Sequence, residues 1–97
     1  MYAAIRTGKA KSGSAQELAQ RINTGAVPIV SSVRGFKAYY VTYGEDDTVT
    51  TVSVFDDQAG AEESNQRMLP WIKQNLAQFL VSPPEAVSGQ VIAHKVQ

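Results

Sequence analysis

The feature that most constrains the fold is a hairpin near the middle of the chain. Residues 36–43 (FKAYYVTY) and 48–55 (TVTTVSVF) are rich in aromatic and β-branched side chains, and the turn-forming residues 44–47 (GEDD) separate them. This pattern predicts two antiparallel strands joined by a short turn. Such a hairpin needs neighbouring strands at its edges and a cover on at least one face.

A strand and a helix are predicted before the hairpin. Residues 2–7 form a short run of aromatic, Ala and Ile side chains, which indicates a first strand. Ser14 and Glu17 match the spacing of a capping box, so we expect a helix to begin there. Gly25 is a natural C-terminal stop, and Pro28 suits the start of a second helical turn. The segment therefore predicts a bent helix.

A second helix and a last strand are predicted after the hairpin. Asp56 and Asp57 suit the N-terminus of a helix, because their carboxylates can cap free N–H groups there. Pro70 interrupts the helical pattern, so we expect a kink or a restart near Leu69. Alternating apolar residues predict a strand over 86–96. The helix carries one stripe of mostly apolar residues, Ala61, Ser64, Met68, Ile72 and Phe79.

The element order βαββαβ predicts an α+β fold of the ferredoxin-like type, a four-stranded antiparallel sheet with the helices on one face. A chain of 97 residues fits a single domain, residues 1–97. Neither face of the hairpin is dominated by charge, so the uncovered face would expose a large apolar surface. We therefore expect a homodimer that buries this sheet face against a second copy.

Composition excludes several classes of partner. Nine Lys and Arg balance nine Asp and Glu, and the two signs are interspersed, which disfavours nucleic-acid binding. The chain has no Cys, which excludes disulfides and zinc–thiolate sites. No stretch approaches the roughly 20 apolar residues of a membrane span, and the N-terminus lacks a signal-peptide pattern. We expect a cytoplasmic protein without a membrane partner.

Two segments carry a resemblance to a known family, residues 27–41 (VPIVSSVRGFKAYYV) and residues 52–76 (VSVFDDQAGAEESNQRMLPWIKQNL). Through them the chain resembles the dimeric α+β barrel superfamily, and within it the antibiotic-biosynthesis-monooxygenase-like proteins. The resemblance implies a ligand cavity between helices and sheet. The positions that carry it are Gly35 and Phe36, Phe55 and Asp56, and Ala61, Ser64 and Trp71 on the following helix.

Several members of that superfamily oxidise aromatic substrates with molecular oxygen and need neither metal nor flavin, so the resemblance implies no cofactor and no metal. Asn65 and Trp71 are the best positional matches for catalytic residues, and His94, the single histidine, is a third candidate. Tyr40 and Met68 are candidate ligand-binding residues. The alternatives remain open that Trp71 fills the core, that Asn65 faces solvent and that His94 is structural or exposed.

Relatives that degrade haem place an asparagine on the first strand and a histidine on the second helix. Here the first strand reads Ala3, Ala4 and Ile5, and the second helix has no histidine. Haem degradation is therefore disfavoured.

Two functional hypotheses follow. The first is a small cofactor-independent monooxygenase-like enzyme that acts on an aromatic or hydrophobic small molecule. The second is a non-catalytic dimer that binds a small ligand or serves in stress response or regulation. A cavity with convergent polar groups favours the first, and a purely aliphatic pocket favours the second.

Overall fold

The sheet is assembled from both halves of the chain, with the first strand at its centre. The computed structural model describes residues 1–97. The four strands are antiparallel and lie in the order β2-β3-β1-β4, which confirms the predicted α+β ferredoxin-like arrangement. The elements are β1 (Tyr2–Lys9), α1 (Ala15–Arg21), α2 (Val27–Ser31), β2 (Phe36–Tyr43), β3 (Thr48–Phe55), α3 (Gln58–Asn75) and β4 (Glu85–Gln90).

The register of the central strands separates a covered face from an uncovered one. Ala4 pairs with Ser53, and both side chains are buried beneath the helices. The next pair, Ile5 and Val52, points to the opposite face and is only partly buried. The core therefore lies between the helices and one face of the sheet. Its most deeply buried large side chains are Phe55, Leu18, Met68 and Val30.

The hairpin and the start of the third helix follow the sequence prediction. β2 and β3 have the predicted bounds, and Asp57 accepts a hydrogen bond from the backbone N–H of Gly60 at 3.1 Å. Of the kink or restart predicted near Leu69, the restart does not occur, because α3 continues without a break to Asn75. Pro70 and Gln66 are both exposed, so solvent can hydrogen-bond the Gln66 carbonyl that a proline leaves free.

The first helical region differs from the prediction in two respects. The capping box does not form, because the Ser14 hydroxyl donates to the Lys11 carbonyl at 2.6 Å and makes no cap hydrogen bond. Gly25 does not end the helix, since the chain continues through a π-helical segment, Ile22–Ala26, into α2. Pro28 lies in the first turn of α2, as predicted.

The last strand is shorter than predicted. It ends at Gln90, whereas the alternating pattern predicted a strand to residue 96. Gln90 pairs with Tyr2, and the N–H of Val91 donates to the Met1 carbonyl at 2.9 Å. β1 therefore offers no further partner, and the apolar side chains after Val91 stay exposed, Ile92 at 94% and Val96 at 81%. No helix has the length and apolar character that a membrane crossing requires.

Gly25 is required by the packing of α3 on the π-helical segment. A Cβ atom at this position would overlap the indole ring of Trp71. We therefore expect Gly25→Ala to lower the free energy of unfolding by about 2 kcal/mol, although alanine is the better helix former. Urea denaturation measures the change. Gly89→Ala is the control, since the added Cβ atom would meet no neighbouring group within 4 Å, and a stabilised Gly25→Ala variant would contradict the close packing.

Candidate functional site

A small cavity lies between the helices and the covered face of the sheet. Its volume is about 40 Å³, and 8 of its 12 lining residues are hydrophobic. A space of that size holds a few water molecules at most. Its walls come from β1, α1, β2, β3, α3 and the segment that follows α3. The lining includes Arg6, Leu18, Ile22, Tyr39, Val49, Met68, Ile72 and Leu76.

Arg6 is the one charged residue that lines this cavity. Its position on β1 faces the helices, and only 7% of its surface is exposed. One guanidinium N–H donates to the Asn65 side-chain carbonyl on α3 at 2.5 Å, while Nε is buried without a protein partner. The ion pairs of the protein join Lys9 to Asp46, Lys37 to Asp56 and Arg67 to Glu63, and none involves Arg6. The guanidinium charge is thus buried without a carboxylate.

Tyr39 on β2 lines the same cavity. Burial raises the pKa of its phenol above the ordinary value, and the positive charge of Arg6 partly opposes this shift. Burial also lowers the pKa of the Arg6 guanidinium, which nevertheless stays protonated at any physiological pH. At neutral pH the cavity therefore presents the fixed cation of Arg6 and the neutral hydroxyl groups of Tyr39 and Thr51.

A larger cleft adjoins this cavity at the edge of the sheet, between the first helical region and β2. Its volume is about 240 Å³, and 9 of its 11 lining residues are hydrophobic. The cavity and the cleft share four lining residues, Leu18, Ile22, Tyr39 and Val49. A molecule in the outer cleft would therefore lie against the same side chains that wall the inner cavity.

The candidate residues predicted from sequence divide into two groups. Met68 is buried at 2% exposure and lines the cavity. Asn65 does not line the cavity, and its side-chain carbonyl accepts a hydrogen bond from the Arg6 guanidinium. Tyr40 lies on the uncovered face of the sheet with 64% exposure, because adjacent residues of a strand point to opposite faces. The phenol at the cavity belongs to Tyr39, so the choice of Tyr40 as a cavity residue is corrected.

Trp71 and His94 lie outside the cavity. Trp71 is half-buried against Gly25, where it borders a shallow depression with Arg21 and Asn75. His94 is exposed in the segment beyond β4 and is not on a strand. The three residues proposed as catalytic, Asn65, Trp71 and His94, are therefore not brought into one cavity.

Sequence reasoning missed Arg6. One signal was available, because Arg6 lies between Ala4 and Gly8 on the alternating set of β1 that faces inward. A strand in which one inward position is charged and its neighbours are small indicates a buried polar site. No group of three His, Cys, Asp or Glu side chains is close enough together to hold a metal ion.

The comparison with family models gives one match. Residues 1–67 match the model described as antibiotic biosynthesis monooxygenase. The matched range includes β1, the first helical region, the hairpin and the first half of α3. No curated protein sequence matches the chain significantly.

Solved structures share the fold over nearly the whole chain. A protein of unknown function from Nitrosomonas europaea is 24% identical, with a TM-score of 0.82 over 99% of this chain and 93% of that one. A monooxygenase from Streptomyces coelicolor, solved with nanaomycin D, is 17% identical, with a TM-score of 0.75 over 99% and 91%. A mutant of MhuD with two manganese protoporphyrin IX molecules bound per active site is 12% identical, with a TM-score of 0.75 over 100% of both chains. At these identities the similarity establishes the fold.

Proposed function

The chain belongs to the antibiotic biosynthesis monooxygenase family, and from this premise we propose that it is a small monooxygenase-like enzyme that acts on an aromatic molecule without a cofactor. The observation that carries the proposal is the largely apolar cavity with three polar side chains, Arg6, Tyr39 and Thr51, at its wall. Apolar walls that converge on a few polar groups are typical of small-molecule sites. The Streptomyces coelicolor monooxygenase, whose ligand is nanaomycin D, supports an aromatic substrate.

In this proposal the protein supplies binding, orientation and electrostatics. The apolar walls hold an aromatic ring, and the Tyr39 hydroxyl donates a hydrogen bond to a substrate oxygen. Asn65 is a positioning residue, because it holds Arg6 and does not line the cavity. The inner cavity is smaller than an aromatic ring, so the substrate must enter through the adjoining cleft and separate side chains that the two spaces share.

The proposed reaction needs no reductant other than the substrate. A phenol with a free para position and one O₂ give a quinone and one water, and the substrate supplies all four electrons. One oxygen atom forms the new carbonyl, and the other leaves as water with the hydrogen lost from carbon and the phenolic proton. Electron transfer to O₂ is easier from the phenolate than from the phenol, so a site that favours the anion accelerates the reaction.

Oxygen uptake with electron-rich phenols tests the proposal. We expect the wild-type protein to consume one O₂ for each quinone formed, and Tyr39→Phe to lower the rate about 100-fold because one hydrogen-bond donor is lost. Tyr40→Phe is the matched control, since Tyr40 lies on the other sheet face. No oxygen uptake across a broad panel, or equal losses in both variants, would contradict the proposal.

Trp71→Phe and His94→Ala extend this test. Both side chains lie outside the cavity, so both variants are expected to retain oxygen uptake. A strong loss in either variant would place that residue at the reacting groups.

The second candidate is a non-catalytic binding protein for a hydrophobic ligand. The observation that favours it is the predominance of hydrophobic residues in both the cavity and the cleft. Saturable binding of hydrophobic probes with no oxygen uptake would support this function over the enzymatic one.

We also propose that the protein is a homodimer in which the uncovered sheet faces pack together. Tyr40, Val52, Ile5 and Val87 are directly paired from strand to strand and form one apolar row across the whole face. Tyr40 and Val87 are 64% and 65% exposed in the single chain. Apolar rows of this kind are typical of protein interfaces, and a two-fold axis brings two such faces together.

A further inference from the structure

A groove beside the segment between α3 and β4 also adjoins the inner cavity. Its volume is about 280 Å³. The groove and the cavity share three lining residues, Ile72, Leu80 and Pro84. The groove shares no lining residue with the cleft beside β2. The cavity therefore lies between two surface openings that are formed by different parts of the chain.

The wall between the cavity and the groove is a bulge in the sheet. Leu80 pairs with Ala10, and Glu85 pairs with Thr7. The four residues 81–84 therefore lie opposite only two residues of the neighbouring segment. Extra residues of this kind interrupt the ladder of hydrogen bonds and bend the strand that carries them.

Few interactions hold the bulge against the sheet. Ser82, Pro83 and Pro84 form no backbone–backbone hydrogen bond, and the two prolines have no N–H group to donate. Gly8 lies beneath Pro84, where an added Cβ atom would be 3.2 Å from the Cβ of Pro84. The bulge can therefore shift without breaking a hydrogen bond of the sheet, and the residue below it has no side chain to fill the gap.

We propose that the inner cavity is a pocket for dioxygen, which enters it from the groove between Leu80 and Pro84. This inference rests on the proposed function, because dioxygen is the second reactant of the reaction described above. A ring that enters from the cleft lies against side chains that also wall the cavity, among them Leu18 and Ile22. The ring thus closes the cleft, and the second reactant needs another entrance.

The size and polarity of the groove end of the cavity suit a small apolar molecule. A space of about 40 Å³ is smaller than an aromatic ring but sufficient for a molecule of two heavy atoms. Ile72, Leu80 and Pro84 offer no side-chain hydrogen bond, so an ion or a sugar would lose its hydration without compensation. Dioxygen is apolar and leaves water for such surroundings readily.

A covalent plug in place of the ring tests the entrance without any catalytic step. The chain has no Cys, so an introduced thiol can be alkylated selectively. Ala19→Cys, alkylated with N-benzyl iodoacetamide, places a benzyl group in the cleft. Trp71→Phe removes the single tryptophan, and Tyr39→Trp places an indole at the cavity wall. Collision with O₂ shortens the phosphorescence lifetime of that indole, so the lifetime reports oxygen entry.

We expect O₂ to quench the indole when the cleft alone is plugged. A second benzyl group, attached through Val81→Cys in the groove, should lower the quenching rate constant about 10-fold, because a close-packed interior admits a molecule only where a gap opens. Leu69→Cys carries the same group on an exposed position of α3 and should leave quenching unchanged. Leu80→Phe narrows the shared wall without a label and should also slow quenching, whereas Leu69→Phe should not.

Melting curves confirm that each protein is folded, and each outcome decides between the proposals. Loss of quenching with only the cleft plugged would overturn the inference, because O₂ would then use the entrance of the ring. Unchanged quenching after the groove is plugged would overturn it as well. Groove-dependent quenching in a protein that consumes no oxygen with any phenol would retain the entrance and refute the enzymatic function. Oxygen uptake without groove-dependent quenching would retain the enzyme and refute the entrance.

Discussion

Val52→Glu is expected to convert the proposed dimer into a monomer. Val52 lies in the middle of the uncovered face, where it pairs with Ile5 on one side and with Tyr40 on the other. In a dimer the two-fold axis would bury two like charges in an apolar interface, and each unpaired buried charge costs several kcal/mol. In the monomer the same carboxylate faces water, and only about 1 kcal/mol of strand preference is lost.

Sedimentation equilibrium or light scattering at micromolar concentration measures the change. The wild-type protein should have twice the mass of the chain, and Val52→Glu the mass of one chain. Gln74→Glu adds the same charge on an exposed position of α3 and should remain a dimer. The melting temperature should depend on protein concentration for the wild type and not for Val52→Glu. A monomeric wild type, or a dimeric Val52→Glu variant, would refute the proposed interface.

Asn65→Leu is expected to destabilise the fold by about 3 kcal/mol, because it leaves the buried Arg6 charge without its only side-chain partner. This is a large share of the roughly 5–15 kcal/mol of net stability typical of a domain. Arg6→Met should by contrast be neutral or stabilising, since it replaces a buried charge with an apolar side chain of similar length. The destabilisation by Asn65→Leu should therefore disappear when Arg6→Met is added.

Urea denaturation of the wild type, both single variants and the double variant forms a double-mutant cycle that measures the coupling. Asn75→Leu is the control on the same helix, because the Asn75 amide donates only to the Trp71 carbonyl at 3.0 Å. It should cost about 1 kcal/mol. Additive effects of Asn65→Leu and Arg6→Met would show that the hydrogen bond between them contributes nothing to stability.

Local sequence patterns correctly predicted the hairpin and the cap of α3. The hairpin bounds and the Asp57 cap depend on residues close together in sequence, and both were confirmed. Two other local patterns did not predict the structure. Ser14 bonds to the Lys11 carbonyl and forms no capping box, and the alternation beyond Gln90 has no strand to pair with.

The site was harder to predict than the fold, because two adjacent residues of a strand point to opposite faces of the sheet. The consecutive tyrosines Tyr39 and Tyr40 are chemically equivalent in the sequence, yet one lines the cavity and the other lies on the uncovered face. Asn65 was predicted as a catalytic residue, but its side chain accepts a hydrogen bond from Arg6, 59 positions away in the chain, and does not line the cavity.

The sequence by itself determined the order of strands and helices, and with it the antiparallel sheet and the uncovered face, because hydrophobic period and turn residues are local properties. Only the tertiary structure decided where the charge of Arg6 lies, because burial of a strand residue depends on which helix covers it. That packing buries the Arg6 cation without a carboxylate. It places Arg6 and Tyr39 at the cavity together with the predicted Met68, while Tyr40, Trp71 and His94 lie elsewhere.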